Sequence, residues 1–313
     1  MILIISIQND FTTTYVMRWL NSMQKKFIRI NEDDKLKIES LTEDDFILKT
    51  STKKISFSEI DSVWYRRGDL FFKNDLGFDF SQVTKKYNNI ENRSIAEYIF
   101  SLLKTKKSIN GFEDNLLNKL EVLRYCKFNK INMPSFLITQ SKIDLIKFYK
   151  NNCKNGVISK SIRYSLREKL NDSTYLSYSY KLNSSEIDEL PLTFVPTFFQ
   201  SYIPKKFEIR AFYLKDNFFS MAIFSQNNPK TKVDFRHYDL NKPNRESPYT
   251  LNKNYEKLLK QMLENFKIDC ASLDIILTLD NEYYLLDINP IGQFGMTSKP
   301  CNYHLEKKIA EYL

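Results

Sequence analysis

Residues 271–295, ASLDIILTLDNEYYLLDINPIGQFG, decide how the rest of the chain is read. Two apolar runs, 273–279 and 283–288, flank the turn-prone pair Asp280-Asn281, which is the pattern of a β-hairpin. A loop centred on that pair sets Leu279 opposite Glu282, and the same register carries Asp274 directly opposite Asp287. Side chains alternate along a strand, so Asn289 shares the face of Asp287. Carboxylates facing each other across a ladder, with Cβ atoms roughly 5 Å apart, repel, and a proton or a cation has to relieve them. Two aspartates and an asparagine carbonyl offer only oxygen, which suits Mg²⁺ and leaves positions open for phosphates. The competing reading is a solvated hairpin edge with incidental acids. The flanking runs are too apolar for a free edge.

The 313 residues allow two or three domains and a sizeable core. A hydrophobic fraction of 42% with 14% aromatics excludes a disordered chain. The formal charge of +9, from 47 Lys+Arg against 38 Asp+Glu, suits an anionic partner but chooses none. Cys126, Cys153, Cys270 and Cys301 form no C-x-x-C pair, and with only 2 histidines neither a zinc site nor a disulfide framework is expected. The opening MILIISI is short, lacks a basic lead-in and runs into polar Gln8-Asn9-Asp10, so it reads as a first strand rather than a signal peptide. No run approaches the ~18 apolar residues of a membrane span. A soluble, cytoplasmic protein is expected.

In chain order, an α/β pattern opens the sequence. It has a strand at 2–7, a helix at 12–27 and strands at 27–30, 45–49, 53–57 and 62–66, without the G-x-G-x-x-G of a dinucleotide fold. Arg66 and Arg67 end the last of these strands, where they fit either a bound carboxylate or phosphate or a structural ion pair. A helix at 91–105 and the turn Ser108-Ile109-Asn110-Gly111 close a first domain. A helix at 113–128 carries Lys119, and Lys160 ends a strand at 157–160 before a polar loop, Ser161-Ile162-Arg163-Tyr164-Ser165. Residues 174–182 alternate as an amphipathic strand, and 184–190 form a short helix behind a cap at Asn183. A strand at 206–212 puts Glu208 and Arg210 on one face, and the loop 231–236 carries Asp234 and Arg236.

The order Lys119, Lys160, Gln200 to Ile203, Glu208-x-Arg210, Asp274 and Asp287-x-Asn289-Pro290 resembles the ATP-grasp fold, an α/β architecture. LLDINPIGQFG, WYRRGD, DFR at 234–236 and the end CNYHLEKKIAEYL are similar to the graspetide (microviridin-like, grasp-with-spasm) peptide macrocyclases. The resemblance implies an N-terminal pre-ATP-grasp domain at 1–110, a central subdomain at 111–197 and a C-terminal subdomain at 198–313, with ATP clamped between the last two. It also implies a role for each residue. Lys119 and Lys160 reach the ATP phosphates, Gln200, Tyr202 and Ile203 hold adenine, and Glu208 accepts from the ribose. Arg210 and Arg236 face phosphates or the acceptor carboxylate, and Asp274, Asp287 and Asn289 hold Mg²⁺.

The implied chemistry phosphorylates an Asp or Glu side chain of a ribosomally made precursor peptide and closes an ω-ester to a Thr or Ser hydroxyl. The peptide's leader docks near 174–190, its core is acidic and Thr-rich, and a homodimer is expected. This chain departs from the family in having Asp287 where Glu is common. It also has no glycine after Lys160, so the side chains of Ser161, Arg163 or Ser165 have to replace a glycine-rich phosphate cradle. A catalytically inactive relative acting as a peptide-binding module is one competing reading, disfavoured because both lysines and all three metal ligands are present. Two others compete. One is an amide-forming amino-acid or peptide ligase of the ribosomal-protein-glutamate type, which would use the same ATP site. The other is a basic nucleic-acid-binding protein, disfavoured because its basic residues are interspersed with acids. Neither nucleic acid nor membrane is expected as a partner.

Overall fold

The computed structural model describes residues 1–73, 81–163, 167–170, 173–176 and 179–313, with Asn115, 167–170 and 174–176 described by their backbone alone. Tyr164 and Ser165 of the expected phosphate loop, and 177–178 of the expected amphipathic strand, lie outside the described residues. The chain divides into two compact units, Met1–Leu117 with Ile268–Cys270 and Pro290–Leu313, and Asn118–Lys267 with Ala271–Asn289.

The first unit runs β1 (Ile2–Ser6), α1 (Phe11–Ser22), β2 (Phe27–Asn31), β3 (Lys37–Leu41), β4 (Phe46–Lys49), β5 (Lys54–Ser56), β6 (Ser62–Tyr65), α2 (Gln82–Leu103) and β7 (Lys107–Ile109). Its main sheet has the order β2-β1-β6-β7, all parallel. A parallel strand is covered on both faces, which is why β1 is an unbroken apolar run and buried throughout. Leu3, Ile5, Ile30 and Tyr65 of this sheet share a core with Ala96, Ile99 and Leu103 of α2. The second sheet, β3-β4-β5, is antiparallel.

Three boundaries differ from expectation. Strand β3 was not expected, because Lys37-Ile38-Glu39-Ser40-Leu41 is polar and only its pairing with β4 makes it a strand. Helix α2 starts at Gln82 rather than 91, where Ser81 caps it by accepting from the Thr84 amide at 3.2 Å. Helix α1 stops at Ser22 rather than 27, and Gln24 then turns the chain with φ +56°.

Arg66 and Arg67 make the structural ion pair. Both lie against Asp10, with Nε to Oδ2 distances of 3.3 and 3.0 Å, and both donate to the Ile291 carbonyl. Asp10 also caps α1, accepting from the Thr13 amide at 3.0 Å. Burial, with Arg67 alongside, pushes the Arg66 guanidinium down to about 10. Asp10→Ala would leave two positive charges in this interior without a counterion. It is expected to cost about 3–5 kcal/mol of unfolding free energy, read by chemical denaturation. A loss under about 1 kcal/mol would refute the pairing as the structural role of these arginines.

The second unit runs α3 (Lys119–Phe128), β8 (Phe136–Ser141), α4 (Lys142–Asn152), β9 (Val157–Ser159), β10 (Arg167–Leu170), β11 (Ser173–Leu176), β12 (Tyr180–Leu182), α5 (Ser184–Glu189) and β13 (Thr193–Ser201). It continues through β14 (Phe207–Leu214), β15 (Asn217–Phe224), β16 (Arg245–Tyr249), α6 (Lys253–Asn265), β17 (Cys270–Leu277) and β18 (Tyr283–Asn289). One sheet has the order β12-β9-β13-β8 and another β16-β15-β14-β17-β18, with β10 and β11 paired as a separate ribbon. Leu145 and Phe148 of α4 and Ile187 of α5 pack on Val157 and Phe199 of the first of these sheets. The single strand expected at 174–182 is two strands in two sheets, β11 against β10 and β12 against β9. The helix expected at 113–128 is likewise two pieces, a 3₁₀ turn at Phe112–Leu116 and then α3, capped by the Asn118 side chain. All four cysteines are free and buried.

Candidate active site

Strands β17 and β18 form the expected antiparallel hairpin, and Asp274 does face Asp287, with Leu273 facing Ile288 and Ser272 facing Asn289. Nearer the turn the expected register fails. Leu277 pairs with Tyr283 and Ile275 with Leu285, one residue out of step. The loop is Thr278 to Glu282 rather than a two-residue turn, closed by the Thr278 amide donating to the Glu282 carbonyl at 3.0 Å. Asn281 supplies its left-handed residue at φ +61°. A bulge absorbs the mismatch: Ile275 faces Leu285 and Asp274 faces Asp287, so Leu286 is left without a partner strand residue. Without that extra residue Asp287 would change faces.

The repulsion between the two carboxylates is relieved by the protein's own cations. Lys119, the first residue of α3, donates to Asp287 Oδ2 at 2.7 Å, and Arg210 of β14, the strand beside β17, donates to Asp274 Oδ1 at 2.5 Å. Lys160, just past β9, donates to the bulge carbonyl of Leu286 at 3.2 Å, with Nζ 5.9 Å from the centre of the Phe198 ring. Burial lowers the Lys160 ammonium below its ordinary value; Asp287 opposes that and Lys119 adds to it. Arg236 forks onto Asp234 through Nη2 at 2.5 Å and Nε at 2.8 Å, and Nη2 reaches Ser179 Oγ at 3.4 Å. That fork raises Arg236 further; for Asp234, burial pushes the carboxyl up but the fork outweighs it and holds it low. Glu208 accepts from Lys205 at 2.5 Å and from the Ser225 hydroxyl, and burial pushes its carboxyl up against the pull of Lys205.

Nine of the expected residues line one cavity of about 290 Å³: Lys119, Lys160, Ser161, Arg163, Glu208, Arg236, Asp274, Asp287 and Asn289. Arg210 is tied to it through Asp274. Gln200, Tyr202 and Ile203 do not line it. Gln200 is buried in β13 opposite Phe136 and Ile158, its Nε2 lacking a hydrogen-bond partner. The Tyr202 amide donates to Gly156 at 2.8 Å, and Lys181 Nζ lies 4.0 Å from the centre of its ring. Sequence reasoning passed over Lys205 and named Asp234 beside Arg236 without a role; both also line the cavity. The role of Asp234 follows from its place two residues before Arg236, the spacing that lets one fork the other. Nothing in the sequence separates Lys205 from its neighbour Lys206, which reaches Asn281 at 3.3 Å instead.

Among the described residues, no group of three or more His, Cys, Asp and Glu side chains gathers to hold a metal by itself. Two carboxylates and an amide oxygen in one cavity with lysines and arginines make an incomplete all-oxygen shell. That is the donor set for Mg²⁺ whose remaining ligands are phosphate oxygens and water, so the residues present fit a magnesium–nucleotide.

The chain belongs to the ATP-grasp family: residues 116–313 match the RimK-like ATP-grasp domain, and residues 1–115 match the MvdD pre-ATP grasp domain. It is therefore an ATP-grasp ligase, of a family that binds ATP or ADP with Mg²⁺. Its fold is similar to macrocyclase MdnC from Microcystis aeruginosa bound with precursor peptide MdnA, at 25% identity and TM-score 0.82 over 100% of this chain and 99% of that one. It is similar to a Chryseobacterium gregarium RiPP-associated ATP-grasp ligase in complex with ADP and a leader and core peptide, at 23% and 0.82 over 99% and 94%. It also resembles the ATP-grasp ligase PsnB complexed with minimal precursor, Mg and ADP, at 12% and 0.72 over 99% and 96%. No curated protein matches the sequence. Among the described residues, no helix is long and apolar enough to cross a membrane.

Proposed function

We propose that this protein is an ATP-dependent carboxylate ligase that matures a ribosomally made precursor peptide, closing ω-ester rings between Asp or Glu side chains and Thr or Ser hydroxyls. One observation carries this reading. Two carboxylates on paired strands each hold a basic side chain, Lys119 on Asp287 and Arg210 on Asp274, in or beside one cavity with two further cations, Lys160 and Arg236. These internal pairs are the complement of a magnesium–triphosphate split into its parts. Asp274, Asp287 and Asn289 would take the metal, and Lys119 and Lys160 would turn to the phosphates. Bound Mg²⁺–ATP supplies the phosphoryl group that gives a carboxylate, a poor acyl donor, a leaving group.

The side chains divide the remaining work. Lys119 and Lys160 offset charge as it shifts in phosphoryl transfer. Arg236, held rigid by Asp234, presents its fork to the acceptor carboxylate, and Arg210 serves the same anion or the phosphates. Glu208, fixed by Lys205 and Ser225, accepts from the ribose hydroxyls. Gln200, Tyr202 and Ile203 hold adenine, a role supported by the unused Gln200 amide nitrogen. The leader docks near 174–190, which the exposure of Tyr180, Leu192 and Val195 beside α5 supports. The similarity to peptide-bound relatives supports the substrate class.

The rival reading is amide formation with a free amino acid, which would use the same ATP site. Incubating the chain with Mg²⁺, ATP and a short precursor rich in Thr, Ser, Asp and Glu tests both. Ring closure removes one water per ring by mass spectrometry and releases ADP. Turnover with free amino acids, and no dehydration of any peptide, would favour the rival.

A further inference from the structure

The hairpin that carries Asp274 and Asp287 has two ends that specify different registers. At the loop Leu277 pairs with Tyr283, while at the root Ser272 pairs with Asn289, and the bulge at Leu286 reconciles them. A bulge is retained only if something holds the root, since the strand could otherwise slip by one residue and continue the loop's register. The ladder cannot do this beyond Asn289. The next residue is Pro290, which has no N–H to give.

Asn110 supplies what is missing. Its Nδ2 donates to the carbonyls of Cys270 and Pro290, both at 2.8 Å, and its Oδ1 accepts from the Cys270 amide at 3.0 Å. It therefore exchanges two hydrogen bonds with Cys270, as a strand partner would, and ties the first residue of β17 to the residue that follows β18. All three groups of the carboxamide are used, and the residue is 5% exposed. Its backbone is left-handed, φ +52°, a conformation asparagine tolerates better than other residues with a side chain. Arg66 and Arg67 hold the next carbonyl, that of Ile291.

We propose that Asn110 is a positioning residue that locks the root register of the β17–β18 hairpin, forces the bulge onto Leu286, and so keeps Asp287 on the face of Asp274. The bulge carbonyl thereby falls where Lys160 reaches it. The consequence for metal binding rests on the function proposed above; the consequence for the hairpin does not.

The test therefore has two arms on the full-length protein. Asn110→Gly keeps the left-handed backbone and removes the carboxamide. Asn110→Asp keeps the shape and the acceptor but loses both donors, and serves where the glycine variant fails to fold. In ligand-free protein, hydrogen–deuterium exchange in the peptide covering 283–289 is expected to quicken at least tenfold in either variant, with helix α2 unchanged. In the second arm, Mn²⁺ in the presence of ADP is titrated by electron paramagnetic resonance, and the apparent metal affinity is expected to fall at least tenfold. Unaltered exchange in 283–289 alongside a lower melting temperature would overturn the proposal, because Asn110 would then be merely structural. Faster exchange in the variants, with no Mn²⁺–ADP binding even by the wild type, would sustain the register lock and count against the proposed nucleotide site instead.

Discussion

Asp287→Ala is expected to lower ADP formation about a thousandfold while leaving the affinity for a precursor's leader segment within about twofold. Losing one ligand from a metal that neutralises a transferring phosphoryl group costs several kcal/mol of transition-state stabilisation, and ~1.4 kcal/mol is tenfold in rate. The leader is proposed to dock near 174–190, away in sequence from this hairpin, so its binding would report that the fold is intact. Asp287 is partly exposed, at 31%, and so is its partner Lys119, at 21%, so the broken ion pair itself has little effect on stability. Asp287→Glu keeps the carboxylate on a side chain one methylene longer and is expected to retain measurable turnover. Unchanged ADP formation in the alanine variant would reject Asp287 as a metal ligand.

Lys160→Met is expected to lower turnover at least a hundredfold without lowering the melting temperature of the ligand-free protein. Its ammonium is held below the ordinary lysine value chiefly by burial, with Lys119 opposing the charge and Asp287 favouring it. The sign follows from linkage. A lysine whose folded pKa is depressed binds its proton less tightly when folded, so its charge costs stability at pH values below the folded pKa. That cost fades as pH rises from the folded pKa toward the unfolded value of 10.5. Replacing it with an apolar side chain of similar length removes the cost at neutral pH and loses the bond to the Leu286 carbonyl, the contact with the Phe198 ring and the attraction of Asp287. Activity should show the converse. In free enzyme the wild-type rate falls as pH rises through the lowered pKa of Lys160, earlier than an ordinary lysine would allow. A melting temperature several degrees below wild type would show that Lys160 stabilises the fold rather than the reaction.

The site was more legible in the sequence than the scaffold that aligns it. Strand alternation put Asn289 on the face of Asp287, because period-two patterning is local. The register that set Asp274 against Asp287 came from an assumed two-residue turn, and the pairing holds because the bulge at Leu286 restores that register. The loop end of that hairpin was misread because Asp280-Asn281 looks like a tight turn, whereas the chain uses five residues from Thr278 to Glu282. The bulge left one trace, the unbroken Tyr283-Tyr284-Leu285-Leu286, where an alternating strand should have had a polar residue. Strand β3 was invisible because its residues are polar and its partner makes it a strand. The arginines at 66 and 67 could not be assigned because their partner, Asp10, is a whole βαβ unit away in sequence. Asn110 read as a turn closing a domain for the same reason. Its three bonds go to Cys270 and Pro290, and no local pattern announces them.

Transfer of oxygen tests the central claim most directly. A precursor peptide with ¹⁸O in its side-chain carboxylates is incubated with the protein, Mg²⁺ and ATP, and the released inorganic phosphate is analysed by mass spectrometry. If the carboxylate attacks the γ-phosphate before ring closure, each ring should leave one ¹⁸O in phosphate and one in the ester carbonyl. Rings formed with both labels kept out of phosphate, or ATP consumed with phosphate unlabelled and the peptide unchanged, would contradict it.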